Sequence, residues 1–308
     1  MTPVREIARG LQFPEGPIAM PDGTFLVVEI ARETLTRVLP DGRTEVVATP
    51  GGGPNGAAIG PDGACYVCNN GGFEWVRHAG RGPMPSGQAK NYSGGRIERI
   101  DLRTGKVEVL YSRSDQAPLK GPNDLAFDSH GGFWFTDLGK SRARDMDRGA
   151  VCYATADGRT IKEVIQPLFM PNGIGLSPNE DRLYVAETPT GRVWAWDVVA
   201  PGEIRRKPAP AVHGADLLLG LPGYQMFDSM AVDSAGNVCV ATLHTGAITV
   251  IAPDASGYTQ VPLPDPTTTN ICFGGPGLTT AYATLSSSGT LVAFDWPRPG
   301  APLPYLNR

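Results

Sequence analysis

Six oxygen-bearing side chains recur along the chain in a common register, each seven residues before a cluster of turn-forming residues. They are Glu15, Asn55, Asn123, Asn172, Asp228 and Asn270. Brought together, two carboxylates and up to four amide oxygens without neighbouring Cys or His would form a hard, oxygen-only site. Such donors suit Ca²⁺, Mg²⁺ or Mn²⁺ better than a soft metal. With the usual water ligands, Ca²⁺ is the ion we expect first.

A divalent ion in this ring could polarise a carbonyl or phosphoryl oxygen and stabilise the negative charge that develops on attack. A carboxylate beside it could take a proton from water or attack directly. Asp228 is the candidate for that catalytic role, and Glu15 for a metal ligand. An alternative keeps both acids as ligands and assigns the proton transfer to Asp124 or to a metal-bound hydroxide. For any single Asn, a further alternative is an Asx turn or a strand cap.

Hairpins must position these residues. Seven residues after each one, the chain reaches turn clusters such as Pro-Asp-Gly and Asp-Ser-Ala-Gly-Asn, which are hairpin signals between apolar runs. About fourteen residues after each one, polar residues recur at Glu29, Asn69, Asp137, Glu187, Thr242 and Thr284, with Glu187 one residue late. The six starting positions lie between 40 and 68 residues apart, a range that brackets the length of a four-stranded propeller blade.

We therefore predict an all-β fold, a single six-bladed β-propeller domain over residues 1–308 with four-stranded blades and a central metal site. The first strand of each blade lines the central channel of a propeller, so the six polar residues would form a ring at one face. The segment from Val4 to Arg9 precedes the first blade. We predict that it supplies the outer strand of the sixth blade and removes a free sheet edge.

Loops between the second and third strands should emerge at the same face as the ring, where function usually collects. In blade two this loop is long, from about Asn70 to Ser93. In blade three it runs from Leu138 to Arg148 and is cationic, which favours acidic or hydroxylated substrates or is simply a solvated charge run. His78 and His244 could also face the ring. The residues we predict to bind substrate are Asn55, Asn123, Trp75, Tyr92 and Tyr224.

The composition excludes several functions. Charged residues make up 19% of the chain and the formal net charge is −4, so there is no basic footprint for nucleic acid. No apolar run is long enough for a membrane span or a signal peptide. We expect a soluble, cytoplasmic protein with a small-molecule substrate, while the oligomeric state stays open. The five cysteines, including Cys65-Tyr-Val-Cys68, are predicted to be mostly buried free thiols on strands.

Four stretches resemble the senescence-marker-protein/gluconolactonase/luciferin-regenerating-enzyme family of six-bladed propellers, which is related to diisopropylfluorophosphatase and the Drp-type lactonases. They are Phe-Pro-Glu-Gly-Pro at 13–17, Gly-Pro-Asn-Asp-Leu-Ala-Phe-Asp at 121–128 with Trp-Phe-Thr-Asp at 134–137, Pro-Asn-Gly-Ile-Gly-Leu-Ser-Pro at 171–178, and Asp-Ser-Met-Ala-Val-Asp at 228–233. The match covers nearly the whole chain. Two positions depart from the family pattern: Gly121 stands where animal sugar-lactone members carry Arg, and Ser229 stands where many members carry Gly.

The resemblance implies one divalent metal, often Ca²⁺, held by Glu15, Asn172 and Asp228, with Asn123 as a fourth ligand or a substrate contact. Mg²⁺, Mn²⁺, Zn²⁺ and Fe²⁺ are alternatives, since family members have been associated with different ions. It also implies hydrolysis of lactones, commonly sugar lactones or related small lactones and esters, with Asp228 as general base or nucleophile. The alternatives are an organophosphate triesterase of the diisopropylfluorophosphatase kind and a non-catalytic, metal-containing propeller that binds a ligand.

Overall fold

A computed structural model describes residues 3–77, 82–208 and 210–308, and within them the chain forms six antiparallel sheets arranged as the blades of a propeller. Runs of β-branched and aromatic residues between tight turns build the strands, as in Phe-Leu-Val-Val-Glu at 25–29. The only helical element in these ranges is a 3₁₀ turn over Pro276–Leu278. The predicted all-β, six-bladed fold is confirmed.

Twenty-seven strands are numbered in chain order. Blade one contains β2 (Pro14–Ala19), β3 (Phe25–Glu29), β4 (Thr34–Val38) and β5 (Thr44–Ala48). Blade two contains β6 (Pro54–Ile59), β7 (Cys65–Asn69), β10 (Arg96–Ile100) and β11 (Val107–Tyr111). Blade three contains β12 (Pro122–Phe127), β13 (Gly132–Asp137), β14 (Gly149–Thr155) and β15 (Ile161–Leu168).

Blade four contains β16 (Pro171–Leu176), β17 (Arg182–Glu187), β18 (Arg192–Ala200), β19 (Glu203–Arg205) and β20 (Asp216–Gly220). Blade five contains β21 (Met226–Val232), β22 (Val238–Leu243), β23 (Ala247–Ile251) and β24 (Tyr258–Pro262). Blade six contains β25 (Thr268–Gly274), β26 (Thr280–Leu285), β27 (Thr290–Asp295) and β1 (Arg5–Arg9). A separate two-stranded hairpin is formed by β8 (Phe73–Arg77) and β9 (Pro83–Gln88).

The circle of blades closes between the two ends of the chain. Strand β1 pairs antiparallel with β27, with Arg5 opposite Ala293 and Arg9 opposite Thr290. This confirms the predicted outer strand of the sixth blade. The first strands of neighbouring blades contact one another in a closed circle, from β2 through β6, β12, β16, β21 and β25 back to β2. These six strands surround the central channel.

The hydrophobic core lies between neighbouring blades. Between blades two and three, for example, Tyr66 packs edge-on against Phe127, and Phe133 lies beside both rings. Four of the five cysteines are buried and Cys272 is half-buried, and all five are free thiols, as predicted. The described residues contain no helix long and apolar enough to span a bilayer.

The structure adds strands in two connections. The long blade-two loop contains the hairpin β8–β9. The segment before Phe227 contributes β20, which pairs with β18 at the edge of blade four. These three strands lie near Pro and Gly residues, where the period-2 signal of a strand is weak.

The channel narrows to a cavity of about 150 Å³ below the ring residues. Aliphatic and aromatic side chains of the first strands line it, among them Leu125, Ile174 and Phe273. The C-terminal segment, residues 301–308, lines its far end. Arg308 anchors that segment through an ion pair with Glu180, with 2.6 Å between Nη1 and Oε1. We call the opposite end of the channel, where the first strands begin, the ring face.

Candidate active site

All six ring residues lie near the start of a first strand and are 2–9% exposed. Burial of polar groups at equivalent points of six strands agrees with the predicted ring at one face of the channel. Each first strand shows a register shift close to its ring residue, for example between Glu15 and Ile18 of β2 and between Phe227 and Met230 of β21. Such β-bulges re-aim a side chain away from the regular ladder. They explain how these residues turn toward the channel axis.

A glycine follows the ring residue in blades one, two and four because the next first strand passes too close for a side chain. A Cβ built on Gly173 would lie 2.7 Å from the carbonyl oxygen of Asp228, and one built on Gly56 would lie 2.5 Å from that of Asn123. In blade three the same position holds Asp124, which is 7% exposed. The register thus brings a third carboxyl group beside the ring.

Glu15 is held by two hydrogen bonds to one carboxylate oxygen. Its Oε2 accepts from the backbone N–H of Gly16 at 3.0 Å and from Nδ2 of Asn270 at 2.9 Å. The Oδ1 of Asn270 in turn accepts from the N–H of Ile271 at 2.7 Å. Asn270 therefore orients Glu15, a role that the sequence pattern did not reveal.

Asn172 is oriented at both ends of its amide. Its Nδ2 donates to Oγ1 of Thr188 at 3.1 Å, and its Oδ1 accepts from Oγ of Ser229 at 3.3 Å. Ser229, which stands where many relatives of the resembled family carry glycine, thus links blade five to the amide of blade four. The carbonyl oxygen of Asn172 accepts from Oγ1 of Thr136 at 2.6 Å, which ties blade four to blade three.

The three acids are strongly affected by burial. Desolvation raises the pKa of Glu15 to about 8, against the hydrogen bonds from Asn270 and Gly16, which lower it. Desolvation also raises the pKa of Asp124 to about 7. For Asp228, burial and then the negative charge of Glu15 raise the pKa well above its usual value. Without a compensating cation, burial thus shifts all three carboxyl groups toward their neutral forms.

The donor set fits a bound cation in two respects. The Oδ1 of Asn123 is buried without a hydrogen-bond partner among the described residues, and a buried amide oxygen left unpaired is costly. The charge of Asp124 raises the pKa of Glu15, and the charges of Glu15 and Asp124 raise the pKa of Asp228, effects that a positive charge would oppose. Over the described ranges, no three His, Cys, Asp or Glu side chains group as a metal site. The four predicted ligands are not a group of that kind, because two of them, Asn123 and Asn172, are amides.

The polar residues predicted about fourteen positions after the ring residues have a structural role in the first four blades. Each side chain accepts a hydrogen bond from a backbone N–H just before its own first strand. Glu29 accepts from Gln12, Asn69 from Gly53, Asp137 from Gly121 and Glu187 from Phe169, at distances between 2.6 and 2.9 Å. These contacts fix the backbone from which the ring residues start.

The predicted substrate-binding residues take different positions. Asn55 and Asn123 are buried in the ring. Trp75 lies on β8, and its ring centroid is 5.4 Å from that of Phe13. Phe13 precedes the ring residue Glu15 by two positions. Tyr92 is half-buried and donates to the carbonyl oxygen of Lys120 at 2.7 Å. Their roles in binding stay predictions.

Tyr224 is 74% exposed and stacks on His244 at 4.7 Å, on the blade-five side of the ring face. Of the five predicted residues it is the most exposed, and no hydrogen bond joins it to a ring residue within the described ranges. His78 lies outside the described residues.

A model of the SMP-30/gluconolactonase/LRE-like region matches residues 13–287, which include all six ring residues. The chain belongs to this family. Among similar proteins, the gluconolactonase of Zymomonas mobilis is 27% identical to this chain, and the match covers 90% of this chain and 78% of that protein. Lactonase drp35 of Staphylococcus saprophyticus is 30% identical, covering 85% of this chain and 73% of that protein. Diisopropyl-fluorophosphatase of Loligo vulgaris is 27% identical over 72% of this chain and 74% of its own.

Membership of the SMP-30/gluconolactonase/LRE-like family agrees with the resemblance inferred from the four sequence stretches. It also accounts for the six-bladed architecture. The Asp124 side chain is the part of the site that sequence reasoning had placed only as an alternative. The sequence does contain a signal for Asp124: it is an acidic residue at the position after the ring residue, which three other blades fill with glycine.

Proposed function

We propose that this protein is a metal-dependent hydrolase that opens a small lactone, a sugar lactone or a related ester. The observation that supports the proposal is the burial of Glu15, Asp124 and Asp228 near the ring face, where the charges of Glu15 and Asp124 act on Asp228, Asn172 hydrogen-bonds to Asp228 and Asn270 hydrogen-bonds to Glu15. Two relatives named as a gluconolactonase and a lactonase support the substrate class.

Glu15, Asn123, Asn172 and Asp228 would hold one divalent cation, with Ca²⁺ as the first choice and Mg²⁺, Mn²⁺, Zn²⁺ and Fe²⁺ as alternatives. When bound, such a cation would polarise the lactone carbonyl and stabilise the negative charge that develops on its oxygen. Asn270 and Gly16 keep Glu15 in place through their hydrogen bonds. Ser229 and Thr188 keep the amide of Asn172 in one orientation.

Asp228 assists the attack of water. Its carboxylate takes a proton as the water oxygen bonds to the carbonyl carbon, and the ring C–O bond then breaks. The released alkoxide takes up a proton, which gives the open hydroxy acid. Direct attack by Asp228 through an acyl-enzyme is the alternative chemistry. Asp124 lies close enough to raise the pKa of Asp228, so it is the second candidate for proton transfer.

An organophosphate triesterase is the second candidate function, favoured by the relative named diisopropyl-fluorophosphatase. Its reaction needs the same electrophilic cation and a nearby carboxylate, so the ring suits both reactions. A non-catalytic propeller that holds a metal for stability and binds a ligand is the third.

The test is chelation followed by readdition of single metals, with parallel assays on γ- and δ-lactones and on an organophosphate. We expect lactone opening to disappear on chelation and to return with one divalent ion. Turnover of the organophosphate alone would favour the triesterase. A metal that raises the melting temperature while neither substrate class is turned over would favour the non-catalytic propeller. Single turnover in ¹⁸O-water would separate the two roles of Asp228. Direct attack of water places the solvent oxygen in the carboxylate of the product, whereas an anhydride formed with Asp228 and hydrolysed at the Asp228 carbonyl places it in the Asp228 side chain.

A further inference from the structure

Lys140 is a buried cation on the ring face. It follows β13 of blade three and is 2% exposed. Its Nζ donates to Oδ1 of Asn70 at 3.0 Å and to the carbonyl oxygen of Gly72 at 2.9 Å, and both residues lie in the blade-two loop. A lysine is rarely buried unless it is paired. Here its partners are neutral oxygens of another blade.

Two aromatic rings of the blade-two loop complete the surroundings of this ammonium group. Nζ lies 4.1 Å from the ring centroid of Phe73 and 5.4 Å from that of Tyr92, within the range of cation–π attraction. Tyr92 is fixed in turn, since its hydroxyl accepts from the N–H of Gly95 at 3.1 Å. No ion pair joins Lys140 to a carboxylate among the described residues. Desolvation lowers its pKa to about 7, and the charges of Asp137 and Asp147 oppose this only in part.

Through these contacts Lys140 holds the base of the hairpin β8–β9. This hairpin also contacts blade three through the N–H of Gln88, which donates to the carbonyl oxygen of Ser141 at 3.0 Å. It contacts blade six through the N–H of Gly82, which donates to the carbonyl oxygen of Ser287 at 2.8 Å. It reaches blade one through Trp75, whose ring packs on Phe13.

These contacts place the hairpin across the ring face, from blade three past blade one to blade six. Phe13 has a left-handed backbone, with φ of 54°, and leads directly into Pro14 and Glu15. The hairpin is not part of any blade sheet in the described residues. Its position over the ring therefore depends on side-chain and loop contacts, of which the Lys140 contacts are buried and charged.

We propose that Lys140 is the positioning residue that holds the β8–β9 hairpin over the mouth of the active site. The hairpin in turn determines which substituents on a substrate the site admits. The substrate part of the inference rests on the proposed function. The physical reason is that, among the described residues, Lys140 supplies the buried polar contacts that join the base of the hairpin, Asn70 to Phe73, to the neighbouring blade. Its loss leaves Oδ1 of Asn70 with only the N–H of Gly72 and the carbonyl oxygen of Gly72 with only the N–H of Ala89, both donors of the blade-two loop itself, and so frees the hairpin to move relative to blade three.

The test compares wild type with Lys140→Met, which keeps the length of the side chain and its packing on Phe73 but removes both donated hydrogen bonds. Hydrogen exchange followed by mass spectrometry reports on peptides covering Phe73–Arg77 and Pro83–Gln88. We expect exchange there to become about tenfold faster or more, as for a segment released from buried, charge-assisted contacts. Exchange in β2 and β21 should stay unchanged. Lys90→Met is the matched control, because Lys90 is an exposed cation on the same loop.

Kinetics supply the second readout, on an unsubstituted γ-lactone and on a γ-lactone with a long alkyl substituent. For Lys140→Met we expect the ratio of the two kcat/KM values to change by about fivefold or more, mainly through KM of the substituted lactone. Unchanged exchange in the hairpin would overturn the proposal. Equal losses of kcat on both lactones would overturn its specificity part. If wild type opens no lactone, the proposed function fails, and hydrogen exchange alone decides the role of Lys140.

Discussion

Replacing Asn270 with Ala tests whether the ring holds a cation, without touching any predicted ligand. The change removes the Nδ2 donor that lies 2.9 Å from Oε2 of Glu15. A hydrogen bond to a charged group contributes about 1.5–3 kcal/mol, so Ca²⁺ should bind about 10- to 150-fold more weakly. This range agrees with the loss of about 10- to 100-fold typical of residues that orient metal ligands. The hydrogen bond from Gly16 remains and keeps Glu15 partly oriented.

Isothermal titration of metal-free protein with Ca²⁺ measures this effect directly. The N–H of Ile271 also loses its acceptor, so the free energy of unfolding should fall by about 1–3 kcal/mol. Asn179→Ala, at an exposed turn on the far side of the propeller, is the matched control and should change neither quantity. A folded Asn270→Ala variant with wild-type affinity would refute the role of Asn270. Absence of divalent-ion binding by wild type would refute the metal site itself.

Three further predictions concern catalysis, pH dependence and packing. Asp228→Asn should keep the fold and lower lactone turnover by about 10²-fold or more, and unchanged turnover would remove Asp228 from the catalytic role. Burial lowers the pKa of Lys140 from 10.5 to about 7, so the unfolded chain binds more protons between these pH values. The free energy of unfolding of wild type should therefore rise with pH across this window relative to Lys140→Met, by at most about 5 kcal/mol in denaturant titrations, and a constant difference would contradict this. Gly173→Ala should destabilise the fold by about 1–3 kcal/mol, since its Cβ would lie 2.7 Å from a backbone oxygen, whereas Gly257→Ala has nothing within 4 Å and serves as control.

The architecture was predictable because its signals are local and repeated. A strand, a turn seven residues later and a returning strand recur six times, and one closed arrangement of six such units explains every spacing. The outer strand from the N-terminal segment followed from the same reasoning, since a ring of blades with one strand missing leaves an unpaired edge. Strand β1 supplies it.

The details of the site depend on contacts between blades, which one sequence does not encode in a readable way. The hydrogen bond from Asn270 to Glu15 joins residues 255 positions apart. The bulges that turn the ring residues inward have no composition signal of their own. The contacts of Lys140 with the blade-two loop depend on how blades two and three pack against each other. In the sequence Lys140 was one charge among several in a cationic loop.

The ring has an electrostatic order that becomes visible only when the blades are placed in a circle. Carboxyl groups come from blades one, three and five, as Glu15, Asp124 and Asp228, and amides come from Asn55, Asn172 and Asn270 of blades two, four and six and from Asn123 of blade three. Each acid thus has amide-bearing blades on both sides, which keeps like charges apart in a buried channel. The amides also act on the acids, since Asn270 donates to Glu15 and hydrogen bonding from Asn172 lowers the pKa of Asp228.

This alternation does not remove the repulsion, because the charge of Asp124 still raises the pKa of Glu15 and the charges of both still raise that of Asp228; burial raises the pKa of all three acids in addition. Several negative charges in a water-poor site are unfavourable unless a cation or protons neutralise them. A structural propeller could fill these positions with apolar side chains at lower cost. The six polar positions on six separate strands therefore support the proposal that the protein binds a cation at the ring face and uses its charge in the reaction.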